Sequence, residues 1–214
     1  MVVLIGGEKG GTGKTTLATN LAAMRAADGK DVLLVDTDRQ GSASAWAAIR
    51  SQGDGVQRVA CIQKFGTAVT AELQDLRSRY GDIIIDVGGR DSVELRAAML
   101  VADKLFIPIQ ASQFDVWTLG QMEEVVAQAR AFNPGLQTYV LINRASTHPS
   151  VNEASDAREL LEDFSFRAAD TVLHDRIAYR KAAKNGLGVV ELSPPDAKAL
   201  AEIQMIYKEV FDER

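Results

Sequence analysis

Val2-Val3-Leu4-Ile5-Gly6-Gly7-Glu8-Lys9-Gly10-Gly11-Thr12-Gly13-Lys14-Thr15-Thr16 is the stretch on which the fold turns. Its first four residues, apolar and mostly β-branched, predict a buried strand. A glycine-rich run follows, and Thr15 to Ala27 then reads as a helix that Gly29 would stop. A strand, a glycine-rich loop and a helix in that order form the setting of a loop that wraps phosphates. Glycines let the backbone curl so that successive N–H groups face an anion, and the helix N-terminus adds its dipole. In such a loop a lysine reaches the outer phosphates and the next hydroxyl meets Mg²⁺. Here those residues would be Lys14 and Thr15, with Thr16 beside the inner phosphate.

Outward from this stretch the chain alternates apolar runs with helical stretches. Strands are predicted at Val32 to Val35, Val56 to Ile62, Ile83 to Val87, Lys104 to Ile109, Gln137 to Asn143 and Thr171 to Leu173. Helices are predicted at Ser42 to Arg50, Thr67 to Tyr80, Val93 to Val101, Trp117 to Phe132, Asn152 to Asp163, Ile177 to Asn185 and Asp196 to Phe211. Val32-Leu33-Leu34-Val35 and Ile83-Ile84-Ile85 show no polar alternation, the mark of strands buried on both faces. The fold class expected is therefore α/β: a doubly wound, mostly parallel sheet flanked by helices, built as one domain over residues 1–214. Ligands of such sheets bind at the C-terminal ends of the strands.

The net charge of −5 gives no bulk attraction to nucleic acid or to an anionic membrane, although a local basic patch remains compatible with it. Cys61 is the only cysteine, which excludes an intrachain disulfide and a Cys-x-x-Cys metal site and reads as a buried structural thiol. Met1 to Ile5 lacks the basic start of a leader, and no apolar run approaches the roughly 18 residues of a spanning helix, so a cytoplasmic location is expected.

The strict pattern Gly-x-x-x-x-Gly-Lys-Thr requires glycine where Glu8 stands. Lys9-Gly10-Gly11-Thr12-Gly13-Lys14-Thr15 instead resembles the deviant Walker A motif, Lys-Gly-Gly-x-Gly-Lys-Thr, of the ParA/MinD family of P-loop ATPases, and the chain looks closest to the ParA-type partition and positioning ATPases. The resemblance implies ATP and Mg²⁺ as cofactors, with Gly10, Gly11, Thr12, Gly13, Lys14, Thr15 and Thr16 around the nucleotide. It also implies an ATP-bridged homodimer in which Lys9 crosses to the partner's nucleotide, acting in catalysis with Lys14 and Asp38.

Further segments resemble the same family. Asp36-Thr37-Asp38-Arg39-Gln40-Gly41-Ser42 is similar to its first switch, with Arg39 where proline is usual. The resemblance ties Asp38 to hydrolysis and puts Asp36 near the magnesium shell. Asp86 ends an apolar strand, a Walker B pattern in which a carboxylate meets Mg²⁺ through water, so Thr15, Asp36 and Asp86 form the implied metal set. Val87-Gly88-Gly89-Arg90-Asp91 resembles the second switch, made mobile by two glycines, with an N–H at Gly88 or Gly89 facing the terminal phosphate. Pro108-Ile109-Gln110-Ala111-Ser112 and Trp117-Thr118-Leu119 resemble the segment after the next strand. Leu141-Ile142-Asn143-Arg144 resembles the base-recognition strand end, which assigns Asn143 to adenine.

Arg176, Arg180, Lys181 and Lys184 make a basic tract without an acid inside it, with Arg158 and Arg167 as weaker companions. ParA relatives bind nonspecific DNA through dispersed cations, so the resemblance implies a DNA surface here, a nucleoid location, and an adaptor protein that stimulates slow hydrolysis to position a cargo. In the last helix Leu200, Ile203, Tyr207 and Val210 form an apolar stripe beside Glu202, Glu209, Asp212 and Glu213, which reads as core packing with no membrane partner. The alternatives are a MinD-like membrane-associated ATPase and an ATP-dependent ligase of the dethiobiotin synthetase type. An iron–sulfur carrier is disfavoured by the lone Cys61.

Overall fold

The computed structural model describes residues 1–89, 91–111, 113–148, 153–162 and 164–212. Along the chain these form β1 (Val2–Ile5), α1 (Lys14–Ala27), β2 (Val32–Asp36), α2 (Ser42–Arg50), β3 (Ala60–Gln63), α3 (Val69–Arg77), β4 (Asp82–Asp86) and α4 (Val93–Met99). Next come β5 (Lys104–Ile109), α5 (Gln113–Arg130), β6 (Gln137–Ile142), α6 (Glu153–Leu161), β7 (Arg167–Ala168), α7 (Ile177–Lys184), a 3₁₀ turn (Val189–Glu191) and α8 (Ala197–Phe211).

Seven strands pair in the order β3-β2-β4-β1-β5-β6-β7, every neighbour parallel. The unbroken apolar runs are explained by the two layers of helices. Val2 and Leu4 join the core that includes Leu95, Met99, Leu119 and Val126 of α4 and α5. Val3 and Ile5 point the other way, into a core with Leu17 and Leu21 of α1, Trp46 of α2 and Ile203 and Ile206 of α8. The same split divides Leu33 and Val35 from Val32 and Leu34, and Ile83 and Ile85 from Ile84. Because successive side chains leave a strand on opposite faces, a strand covered twice must be apolar at every position.

Several expected elements are corrected. The strand predicted from Val56 to Ile62 is confined to Ala60–Gln63. No strand spans Thr171 to Leu173; the seventh strand is the two-residue Arg167–Ala168, and Leu173 only continues the pairing by donating to the Ile142 carbonyl. Cys61 is half-buried rather than buried, and burial pushes its thiol up to about 11, which makes it unreactive at neutral pH. The core face of α8 is Ala199, Ile203, Ile206 and Val210, with Leu200 and Tyr207 at its margins. No described helix is long and apolar enough to cross a membrane.

Candidate functional site

Among the described residues a cleft of about 770 Å³ opens where β1, β2, β4 and β6 end. The crossing from β4 to β5 lies here, on either side of β1, the kind of switch point at which open α/β sheets bind ligands. Gly10, Gly11, Gly13, Lys14, Thr15 and Thr16 line one wall, and Asp38, Gly88 and Gly89 line another. Asn143 and Arg144 close the far side with His174 to Arg176 and Tyr179.

The loop before α1 is held by its own side chains. Lys14 is buried to 6% exposure, and its ammonium donates to the Lys9 carbonyl at 2.7 Å. Burial lowers its pKa, while Asp86 and Asp38 pull it back up. Asn143 donates to the Thr12 carbonyl at 2.7 Å, and Arg144 donates to the Gly11 carbonyl at 2.9 Å. Gly11 and Gly13 have φ of 77° and 92°, a region that L side chains avoid. Gly13 is also the N-terminal flank of α1 and offers no side-chain cap. The first N–H groups of that helix are thus left for an anion. Ser92 and Asp196, by contrast, cap α4 and α8 with their own side chains.

The acidic residues divide by environment. Asp86 is 1% exposed, and among the described residues no backbone N–H reaches either carboxylate oxygen, leaving the Thr15 hydroxyl as its polar neighbour. Burial pushes its carboxyl up to about 7, with the Thr15 hydroxyl and Lys14 pulling down and Asp36 pushing further up. Asp36 is fully buried, but its oxygens accept from the Asp38 N–H at 3.1 Å and the Ser44 N–H at 2.8 Å. It therefore anchors the Asp36 to Ser42 loop and caps the first turn of α2. Asp38 is half-buried, accepts from the Gln40 N–H at 2.9 Å, and leans on Gly88, where a Cβ would come within 3.2 Å of its carboxyl carbon.

The second switch packs against the loop. A Cβ on Gly89 would lie 2.8 Å from the Gly10 nitrogen, so the two backbones touch where only glycine fits. Arg90 of that segment lies outside the described residues, as do Ser112 and the side chain of Trp117. Arg39 places its guanidinium 5.3 Å above the Phe65 ring. Lys9 is exposed and outside the cleft lining.

Two of the expected site residues make contacts within the chain. The Asn143 amide donates one of its two N–H groups to the Thr12 carbonyl, and its oxygen accepts the Arg144 N–H at 2.9 Å. Arg176, assigned to DNA, is absorbed by Glu202 of α8, which it meets through Nε at 3.1 Å and Nη2 at 2.5 Å. Arg180 pairs with Asp175 at 2.8 Å and lines the cleft, leaving Lys181 and Lys184 as exposed cations with no ion pair among the described residues. Arg158 donates to the Ala169 carbonyl at 3.1 Å, while Arg167 is exposed on the edge strand. The acids of α8 turn out to be ties: Glu202 also holds His174 at 2.8 Å, and Glu209 accepts from the Asp170 and Thr171 N–H groups.

Arg144 and Glu202 carry no local sequence signal for the contacts they make here. The residues present suit a divalent cation on one observation: a buried carboxylate at Asp86 that meets no backbone N–H among the described residues, beside Thr15.

Residues 3–189 match the family described as the CobQ/CobB/MinD/ParA nucleotide binding domain. The chain is 32% identical over 213 residues to the maintenance of carboxysome distribution protein A of Gloeobacter kilaueensis, covering 99% of this chain and 93% of that protein. It is 25% identical over 227 residues to the chromosome-partitioning ATPase Soj of Thermus thermophilus, covering 93% and 91% of the two. Among solved structures, the MinD cell division protein of Aquifex aeolicus overlays with a TM-score of 0.76 at 17% identity, covering 100% of this chain and 97% of that one. Apo McdA of Cyanothece overlays with a TM-score of 0.75 at 19% identity, covering 95% and 97%. Overlays at such identity speak for the fold, and the family match, spanning most of the chain, carries the assignment: the chain belongs to the CobQ/CobB/MinD/ParA family of nucleotide-binding domains.

Proposed function

We propose that this chain is a ParA-type positioning ATPase that forms an ATP-bridged homodimer, binds nonspecific DNA and is reset by partner-stimulated hydrolysis. The observation that carries the reading is the buried Asp86 carboxylate, which meets no backbone N–H among the described residues, beside a phosphate loop already held in shape. A group so placed has little use in a protein that binds no cation there. The names of the relatives support movement of a cargo, and two carboxysome-distribution proteins, at 27% and 32% identity, weigh toward a protein assembly.

In this reading Thr15 and Asp86 would hold Mg²⁺, which would neutralise phosphate charge when bound. Lys14 neutralises the outer phosphates, and Asp38, at the cleft wall, orients the attacking water. Water adds to the terminal phosphorus as the bond to ADP breaks, giving ADP and phosphate. Lys9 of each protomer reaches the ATP of the other copy, so hydrolysis waits for the dimer and is slow. Of the basic tract, Lys181 and Lys184, with Arg180, are the cations set to meet DNA phosphates.

The test is retention of nonspecific DNA by wild type and Lys9→Ala, each with ATP and with ADP. ATP-dependent retention that Lys9→Ala abolishes supports the reading. Behaviour indifferent to nucleotide in both proteins would sink the switch. Sedimentation with anionic liposomes only when ATP is present would favour the MinD-like alternative, and turnover appearing only with a second small substrate would favour a ligase. Rapid turnover by a monomer would contradict the role given to Lys9.

A further inference from the structure

We propose that Asn143 and Arg144 form a brace that pre-shapes the phosphate loop, which makes them positioning residues for the triphosphate. The proposal rests on the nucleotide-binding reading above and concerns how that site is built.

Consecutive residues of a strand send their side chains to opposite faces. Asn143 and Arg144 follow β6 directly, yet both side chains reach the same loop, at the Thr12 and Gly11 carbonyls. The backbone makes this possible. Arg144 has φ of 56°, the sole positive φ outside glycine among the described residues. That conformation is costly for a bulky residue and persists only where the surroundings enforce it. Two contacts do so: the Arg144 N–H is held by the Asn143 side-chain oxygen at 2.9 Å, and its guanidinium lies 3.7 Å from Asp175.

The consequence for the loop follows from peptide geometry. In a trans peptide the C=O and the next N–H point in opposite directions. Turning the Gly11 and Thr12 carbonyls outward onto Arg144 and Asn143 turns the Thr12 and Gly13 N–H groups the other way. Lys14 does the same at the Lys9 carbonyl and so directs the Gly10 N–H. Converging N–H groups of this kind are what an anion-binding nest consists of. The fit is reciprocal, since a Cβ on Gly13 would lie 2.3 Å from the Asn143 amide nitrogen. Gly13 thus leaves the space into which the brace inserts. Asn143 is buried at 6% exposure, so its donated bond is made away from water, where an unmade bond is most costly.

The discriminating experiment is calorimetric titration of the full chain with Mg-ATP, Mg-GTP and Mg-tripolyphosphate, the last having no base. Asn143→Ala, Arg144→Asn and Arg144→Lys are compared with wild type. Asparagine tolerates the left-handed backbone but is too short to reach Gly11, so that variant keeps the fold while removing the contact. Each loss of a brace bond is expected to weaken all three ligands by the same factor, about tenfold, with the ATP-to-GTP ratio as in wild type. Arg144→Lys should recover part of the loss, since one ammonium can replace one donated bond. A changed ATP-to-GTP ratio with unchanged tripolyphosphate binding would make Asn143 a base reader and overturn the proposal. Wild-type affinities in every variant would overturn it as well, with the nucleotide site itself intact. Wild type that binds none of the three ligands would instead bring down the nucleotide reading and the brace with it.

Discussion

The parallel ladder sets Asp36 at the end of β2 opposite Asp86 at the end of β4, so two carboxylates leave the sheet side by side. Both are buried, at 0% and 1% exposure. The strands are further tied at this point by the Thr37 N–H, which donates to the Asp86 carbonyl at 2.9 Å. What differs is satisfaction. Asp36 accepts two backbone N–H groups and completes the first turn of α2 from eight residues away. Among the described residues Asp86 accepts none, and its carboxyl is pushed up to about 7. Equal burial therefore says little about role. A carboxylate with its hydrogen bonds made is part of the scaffold, whereas one without them carries an unmet cost that a bound cation, in the reading proposed above, would relieve. The two helices beside them repeat the contrast, because α2 receives a cap from Asp36 and α1 has none of its own.

The sharpest way to break this comparison is Asp86→Asn. ATP hydrolysis should fall by about 100-fold or more, the usual cost of losing one preorganised charge contact in a reacting site, with overall fold unchanged by circular dichroism. Hydrolysis within a few-fold of wild type would mean that Asp86 is scaffold after all.

The same variant should move stability the other way. In the metal-free chain Asp86 has a folded value of about 7 against 3.8 for the free carboxyl. The folded state then binds more protons than the unfolded one between about pH 4 and 7. This contribution to stability is greatest below that window, declines as pH rises through it, and is lowest above about 7. Denaturant unfolding in chelator should show wild-type stability falling from pH 5 to 8 by on the order of 2 kcal/mol from this group. Asp86→Asn should remove that slope and be the more stable protein at pH 8. Adding Mg²⁺ should raise the wild-type midpoint and leave that of Asp86→Asn where it was. A wild-type profile as flat as that of the variant would show that Asp86 is not held unpaired.

How much of this was legible beforehand follows from how local each signal is. The strand, loop and helix from Val2 to Ala27 could be read because a doubly covered strand and a glycine-rich turn leave unbroken local patterns. Asp86 could be suspected for the same reason, standing at the end of an apolar run. The division of labour with Asp36 could not, since the Ser44 N–H reaches it only after β2 and α2 have folded. Arg176 is a similar case: its charge was visible, but Glu202, which absorbs it, lies 26 residues further on. Strand β7 escaped because two exposed residues on a sheet edge carry no pattern, and their pairing with Tyr139 and Val140 is supplied by β6. The contact of the Asn143 carboxamide with the loop carries no local signal either, since Thr12 lies 131 residues away in sequence.

The smallest expected effects compare the two aspartates of the first switch. Asp36→Asn keeps the shape but replaces one accepting oxygen with an NH₂ that faces an N–H. One of the two buried backbone donors, at Asp38 or Ser44, is then left unmet, and the charge assistance is lost at both. Unfolding should become easier by about 1.5–2 kcal/mol, as for losing a charged helix cap together with a buried partner. Asp38→Asn, two residues on, should change stability by less than about 0.5 kcal/mol, because Asp38 is half-buried and its bond from the Gln40 N–H can be kept by an amide oxygen. Its effect should appear in hydrolysis, where the group faces the cleft. Two variants of one loop, one losing stability and the other turnover, would place the boundary between scaffold and chemistry between Asp36 and Asp38. If Asp38→Asn proved the less stable of the two, the switch would be anchored at Asp38, and the cap given to Asp36 would have to be withdrawn.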